Sequence, residues 1–335
     1  MKIYLHIGTH KTGTTSIQAF AEKHRAWLLN YGLYWPQTSS IRPASTQHTI
    51  LLELIRAGKA DNASDYVVQE IMSAERSGAQ SMLLSGEGFA QASDEEIEIF
   101  LGMLEGHDVQ VIAYFRNVYD YARSSLIQHM KYSDRRPRVG LLYRSIQTNL
   151  NYSALLKRWQ RFLPDDVINV YSYEDEKQAL LPTFFARLAV PEDGVRTRLA
   201  PKSYRSIDPS LQLLLACIEN DRGSIDFNKT SAAYRWAFKG RRTVSPLIND
   251  MVAKICEDAG QKLNHPLLKP YRKKLLAVPA VAQSPSLREQ AIYFTSLARF
   301  SRRMARRKRF ESSGLYPLWQ RLRIRLRRYR KHGSK

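Results

Sequence analysis

The chain has 335 residues, 44% of them hydrophobic and 25% charged, so it can bury a sizeable core and does not have the composition of a disordered or fibrous sequence. Its formal net charge of +21 favours anionic partners: nucleic acid, anionic lipid or acidic small molecules. Two cysteines, Cys217 and Cys256, give no disulfide framework or metal cluster, and no run of about 18 apolar residues exists to form a membrane-spanning helix.

In chain order, "KIYLHI" (2–7) reads as a first strand running into a loop bounded by Gly8 and Gly13. An apolar helical stripe follows from Ser16 through Ile17, Phe20, Ala21, Trp27 and Leu28. "SMLLSGE" (81–87) is a second strand, and Ser93 with Glu96 forms a capping box ahead of Ile97, Phe100 and Leu101. "DVQVIAYFR" (108–116) is a third strand, continued by a helix over 117–131. "NYSALLKRWQRFLP" (151–164) is a helix with Tyr152, Leu155, Leu156, Trp159, Phe162 and Leu163 on one face, ended by Pro164. "DVINVYSY" (166–173) is a fourth strand, and residues 207–300 read as mainly helical. Strands alternating with helices predict an α/β fold, a parallel sheet covered on both faces, with a helical C-terminal part. From about Arg302 the composition changes. Fourteen Lys/Arg against Glu311 alone give 301–335 a charge of +13, which leaves +8 for 1–300.

The opening loop carries the first chemical signal. Gly8 and Gly13 have the separation of the phosphate-cradling pattern G-x-x-x-x-G-K-[ST], but Thr14 stands where that pattern has lysine, and Lys11 lies inside the loop. A glycine loop between a strand and a helix N-terminus points backbone N–H groups at one spot, where the helix dipole adds positive charge. Thr12, Thr14, Thr15 and Ser16 add hydroxyls. Lys11 at the crest suits one 5′-phosphate with reaction chemistry just beyond it. A glycine turn leading into a capped helix is the plainer reading of the same residues. The third strand adds a second signal: Arg116 ends it, and Ser124 follows eight residues later on the next helix. Ligands bind at such strand ends in open α/β sheets, although an exposed arginine and a helix-surface serine would give the same letters.

Taken in order, "HIGTHKTGTTSIQ", "LLSGE", "YFRNVYDYARSSLIQ", "NYSALLKRWQRFLP" and "INVYSYED" resemble the PAPS-dependent sulfotransferase family, especially its bacterial carbohydrate-type members. PAPS is 3′-phosphoadenosine 5′-phosphosulfate. The resemblance covers roughly residues 1–205 of a 1–300 domain and implies a P-loop-like three-layer fold. It implies that Lys11, Thr12, Gly13, Thr14, Thr15 and Ser16 surround the 5′-phosphate, and that Arg116 and Ser124 hold the 3′-phosphate. Arg205, in "KSYRS" (202–206), matches a later cofactor-side loop only loosely. The implied reaction passes sulfate from PAPS to a hydroxyl of a carbohydrate or glycolipid, releases 3′,5′-bisphosphoadenosine and needs no metal.

An in-line attack on sulfur needs a base opposite the leaving group, while Lys11 and the loop N–H groups meet the charge that develops on it. Glu87 is the first candidate base: it follows a strand, and Gly86 and Gly88 leave room for substrate. His48, before an apolar helix, is the second; a histidine at a helix start is its plainer reading. His10 lies within the loop and either shapes it or touches substrate. Two other readings stand beside this one, a magnesium-dependent P-loop kinase or nucleotidase and a basic nucleic-acid-binding protein. The second lacks any zinc-finger or RRM signature and leaves the pairing of Arg116 with Ser124 unexplained. In the tail, Leu315, Leu318, Trp319, Leu322, Leu326 and Tyr329 follow helical spacing among arginines. That suits a helix lying on an anionic membrane, though a basic edge strand or a solvated tail reads as well. The expected setting is the cytoplasm, with peripheral attachment to the inner membrane face.

Overall fold

A computed structural model describes residues 1–38, 41–42, 47–132, 139–199 and 246–278. Five strands form one sheet: β1 (Lys2–His6), β2 (Leu33–Tyr34), β3 (Ser81–Ser85), β4 (Asp108–Phe115) and β5 (Ile168–Ser172). Their order is β2-β3-β1-β4-β5, and every neighbouring pair is parallel. The helices are α1 (Thr14–Lys23), α2 (Arg25–Leu29), α3 (Ile50–Arg56), α4 (Ala60–Arg76), α5 (Asp94–Gly102), α6 (Val118–Tyr132), α7 (Val139–Asn149), α8 (Tyr152–Trp159), α9 (Tyr173–Glu176), α10 (Leu180–Ala186), α11 (Glu192–Arg196), α12 (Pro246–Ala259) and α13 (Arg272–Leu275). The fold is therefore the expected α/β architecture, a parallel sheet flanked by helices. The described C-terminal residues 246–278 are mainly helical.

The central strands are buried on both faces, which is why they read as unbroken apolar runs. Met82 to Ser85 and Val111 to Phe115 are buried without alternation. Ile17, Phe20 and Ala21 of α1 pack with Phe184, Phe185 and Leu188 over one part of this core. Each of the larger of these side chains, fully buried, contributes about 1.5–3 kcal/mol.

Local signals explain the element ends. The capping box on α5 is complete: Ser93 Oγ accepts from Glu96 N–H at 3.2 Å, and Ser93 N–H donates to Glu96 Oε2 at 3.0 Å. Helix α8 starts at an Asn151 cap and stops at Trp159, five residues short of Pro164, where the predicted span ends. The chain turns there because Phe162 and Leu163 N–H both bond back to Trp159 O, and those two side chains are only half-buried. The stripe predicted from Ser16 to Leu28 is broken at His24, which separates α1 from α2.

Residues 1–199 and 251–278 lie in one compact unit. The boundary expected at 300, the basic tail, Cys217 and Arg205 lie outside the described residues. Among the described residues no helix is long and apolar enough to cross a membrane.

Candidate functional site

Strand order places the site. β1 is central, and the chain leaves it toward β3 on one side and is joined by β4 on the other, so a crevice opens where connections diverge at the carboxyl ends. Each candidate group follows one of those ends: Thr9 to Gly13 after β1, Glu87 after β3, Arg116 after β4, Tyr173 after β5.

The loop after β1 is braced from within. Thr9 Oγ1 donates to Tyr114 O at 2.7 Å, and Thr12 Oγ1 donates to Thr9 O at 2.6 Å. Lys11 has φ of 71° and Gly13 has φ of 83°, two left-handed residues that turn the chain sharply into α1. Helix α1 begins with no side-chain cap at Gly13; Ser16 N–H bonds back to Gly13 O, and the Thr14 and Thr15 N–H groups at the helix start suit an anion. A Cβ on Gly8 would stand 2.4 Å from Thr14 Oγ1, so only glycine lets the strand end pass that close to the helix start. The four loop hydroxyls divide. Thr12 and Thr14 are buried, with the Thr12 hydroxyl held by Thr9 and the Thr14 hydroxyl without a partner, whereas Thr15 and Ser16 are exposed at the first turn.

Arg116 reaches the crest of this loop: its Nη1 donates to Lys11 O at 2.9 Å, and its guanidinium lies 5.3 Å from the Tyr173 ring centroid. Its Nε is buried and has no partner. The Tyr152 hydroxyl, on α8, holds the Arg116 carbonyl at 3.0 Å. Ser124 is half-buried on α6, the helix that starts two residues after Arg116. Asn117 between them caps α6 through Asp120 N–H and donates to Lys274 O and Ala277 O, both at 2.7 Å, tying the C-terminal turn to the site. Glu174 stands near Arg116, and burial raises its carboxyl above the usual range.

The base candidates separate. Glu87 Oε2 and His10 Nδ1 are 2.5 Å apart, both partly exposed. Gln91 Nε2 lies 3.0 Å from His10 Nε2 and 3.1 Å from Asn149 Oδ1. An amide nitrogen only donates, so Nε2 accepts, and the ring proton sits on Nδ1 facing the carboxylate. Asn149 in turn meets the hydroxyl of Tyr121, whose pKa burial pushes up to about 12.

His48 is elsewhere. It is fully buried, its Nδ1 accepts from Ser85 N–H at 3.1 Å, and its Nε2 is 3.3 Å from Pro36 O. Burial lowers its pKa to about 4. With both nitrogens on backbone it straps its turn to β3 and does not reach the His10–Glu87 pair. The space beside Gly86 and Gly88 is not held open for substrate either: Thr49 fills it, its Oγ1 and Cγ2 standing 2.3 and 2.2 Å from where a Cβ would be.

A cavity of about 730 Å³ opens beside Thr9 and His10, walled by residues of the Gln91 turn, α7, α8 and Lys262. Gln91, Arg144, Asn149, Arg158 and Lys262 carry no motif and are scattered along the sequence. Only the amphipathic reading of α8, which leaves Arg158 off the apolar face, touched one of them.

No family model and no curated protein matches the chain. Among solved structures it is similar to a sulfotransferase domain from the curacin biosynthetic pathway, at 13% identity and a TM-score of 0.34, over 83% of this chain and 98% of that domain.

Proposed function

We propose that the protein is a sulfotransferase that moves the sulfuryl group of PAPS onto a hydroxyl of a carbohydrate or glycolipid. The observation that carries this reading is the His10–Glu87 pair, in which His10 sits on a phosphate-type loop and lines the cavity beside it. The residues present fit the donor. The uncapped start of α1, the exposed Thr15 and Ser16 hydroxyls and the unpartnered Nε of Arg116 are all suited to phosphate oxygens. When bound, the donor supplies the sulfuryl group and departs as 3′,5′-bisphosphoadenosine.

The chain's own residues do the rest. His10 Nε2 takes the acceptor proton as the acceptor oxygen bonds to sulfur and the sulfur–phosphate oxygen bond breaks. Glu87 holds the ring in the right tautomer and stabilises the imidazolium that forms. Gln91 rests on the same lone pair, and an entering hydroxyl takes its place. Lys11 and the first-turn N–H groups of α1 receive the charge left on the phosphate side. This assigns proton removal to His10, with Glu87 behind it.

The magnesium-dependent alternative is disfavoured because Thr14 occupies the position of the phosphate-loop lysine and its hydroxyl is buried under Gly8. Calorimetric titration tests the choice: 3′,5′-bisphosphoadenosine should bind without magnesium. Binding of ATP with magnesium and indifference to the bisphosphate would reverse the assignment. The basic tail is proposed to attach this enzyme to an anionic membrane face from the cytoplasm. Truncation after Ser301 should abolish co-sedimentation with anionic vesicles and leave bisphosphate binding intact; a full-length protein that ignores such vesicles at low salt would end that proposal.

A further inference from the structure

The cavity beside His10 is cationic. Arg144 from α7, Arg158 from α8 and Lys262 from the turn after α12 line it, and no carboxylate is among its lining residues. Acids stand behind the lining: Asp94 pairs with Arg161 and Glu96 with Arg56 while both also favour the charge on Arg158, Glu87 is held by His10, and Asp258 accepts from Gln147 at 2.9 Å. Arg158 is held in place by a 2.9 Å bond from Nη2 to Ala90 O, while its Nε is buried and has no partner. Lys262 donates to Gln147 Oε1, which engages one of three ammonium hydrogens. Burial and Arg161 disfavour the charged form of Arg158, while Asp94 and Glu96 favour it. The lining therefore offers three cations and no carboxylate to a ligand, a setting that attracts an anion. The remaining polar wall is amide and hydroxyl, from Gln91, Asn149 and Asn151 among others, which suits a ligand rich in hydroxyls.

We propose that the acceptor is itself an anion: a hydroxyl-rich compound bearing a carboxylate or phosphate, gripped by Arg144, Arg158 and Lys262 while one hydroxyl meets His10. This rests on the sulfotransferase reading for the chemistry but not for the binding. A neutral sugar would give those three cations no counter-charge. An acidic one meets them with charge-assisted hydrogen bonds and keeps its hydroxyls for the amides.

The test is a binding measurement on the full chain, with and without saturating 3′,5′-bisphosphoadenosine, using methyl glucoside, methyl glucuronide and glucose 6-phosphate as probes. At least one acidic probe should bind about tenfold tighter than the neutral one, and the better of the two names the anion. Arg158→Gln with Lys262→Gln should erase that preference. Arg144→Gln, an exposed side chain whose loss does not threaten folding, should reduce it on its own. Equal binding of all three probes, binding of none, or a preference that survives these variants overturns the proposal. A protein that prefers the acidic probes yet ignores the bisphosphate supports the anion site and refutes the donor reading, so the two failures are distinct.

Discussion

The single contact between His10 and Glu87 changes the reading of both residues. Each stands out in the sequence, but they are 77 positions apart and nothing in the order of letters pairs them. His48 is the second candidate base in the sequence, and its environment shows why a letter is not enough: both ring nitrogens are taken by backbone and the ring is fully buried. If His10 and Glu87 act as one unit, His10→Gln and Glu87→Gln should each lower turnover by roughly 10²–10⁴-fold, with bisphosphate affinity nearly unchanged. The double variant should be no worse than the poorer single one, because residues acting together are not additive. Multiplicative losses would show that they act separately. Arg116→Ala removes a charge-assisted donor and should weaken 3′,5′-bisphosphoadenosine by roughly 1.5–3 kcal/mol. Because Arg116 also holds the Lys11 carbonyl, AMP should weaken as well, but less. Equal losses for the two ligands would contradict a role at the 3′-phosphate.

At the scale of elements, the four longer strands are legible because a parallel sheet buried on both faces demands continuous apolar runs, as in "VIAYF" of β4. β2 is only two residues long and gives no pattern. α8 was overrun at its C-terminus because Phe162 and Leu163 keep helical spacing while the backbone has already turned. The loop was legible in outline from its glycines, but the division of its hydroxyls was not: it depends on Thr9 and Tyr114, which meet only in the fold. Two separate costs meet at Gly13. Its φ of 83° costs a side-chain-bearing residue roughly 1–2 kcal/mol, and a Cβ would stand 2.3 Å from Leu180 Cδ2. Gly13→Ala should therefore destabilise the protein, and adding Leu180→Ala should not restore the loop, since the steric conflict is removed and the backbone strain is not. A double variant that binds bisphosphate like wild type would show that the left-handed turn is dispensable.

For the whole molecule, Ser85 is the knot that holds strand, loop and helix together. It meets His6 Nδ1 at 2.9 Å and Gln18 Nε2 at 3.3 Å through its hydroxyl, and His48 through its backbone. Both histidines are buried and neutral, with pKa values lowered to about 3 for His6 and about 4 for His48. The unfolded chain binds their protons below about pH 6.5 and the folded chain refuses them, so stability is full above that pH and is lost as pH falls toward 4. His48→Gln removes one of these groups. Its stability deficit relative to wild type should narrow by up to about 1.4 kcal/mol per pH unit between pH 6.5 and 4, as read from urea unfolding at several pH values. A deficit that does not change with pH would mean that His48 is not held neutral. The charge of the molecule was legible as a number, but its gathering of Arg144, Arg158 and Lys262 around one cavity was not, because Arg144 and Arg158 stand on separate helices and Lys262 comes from a turn far beyond them in sequence. The central claim is tested most directly by following radiolabelled sulfate from PAPS into hydroxyl acceptors, with wild type and His10→Gln side by side. The account predicts label in an acceptor with wild type and little with the variant, although both bind the bisphosphate. Transfer by His10→Gln at the wild-type rate would contradict it.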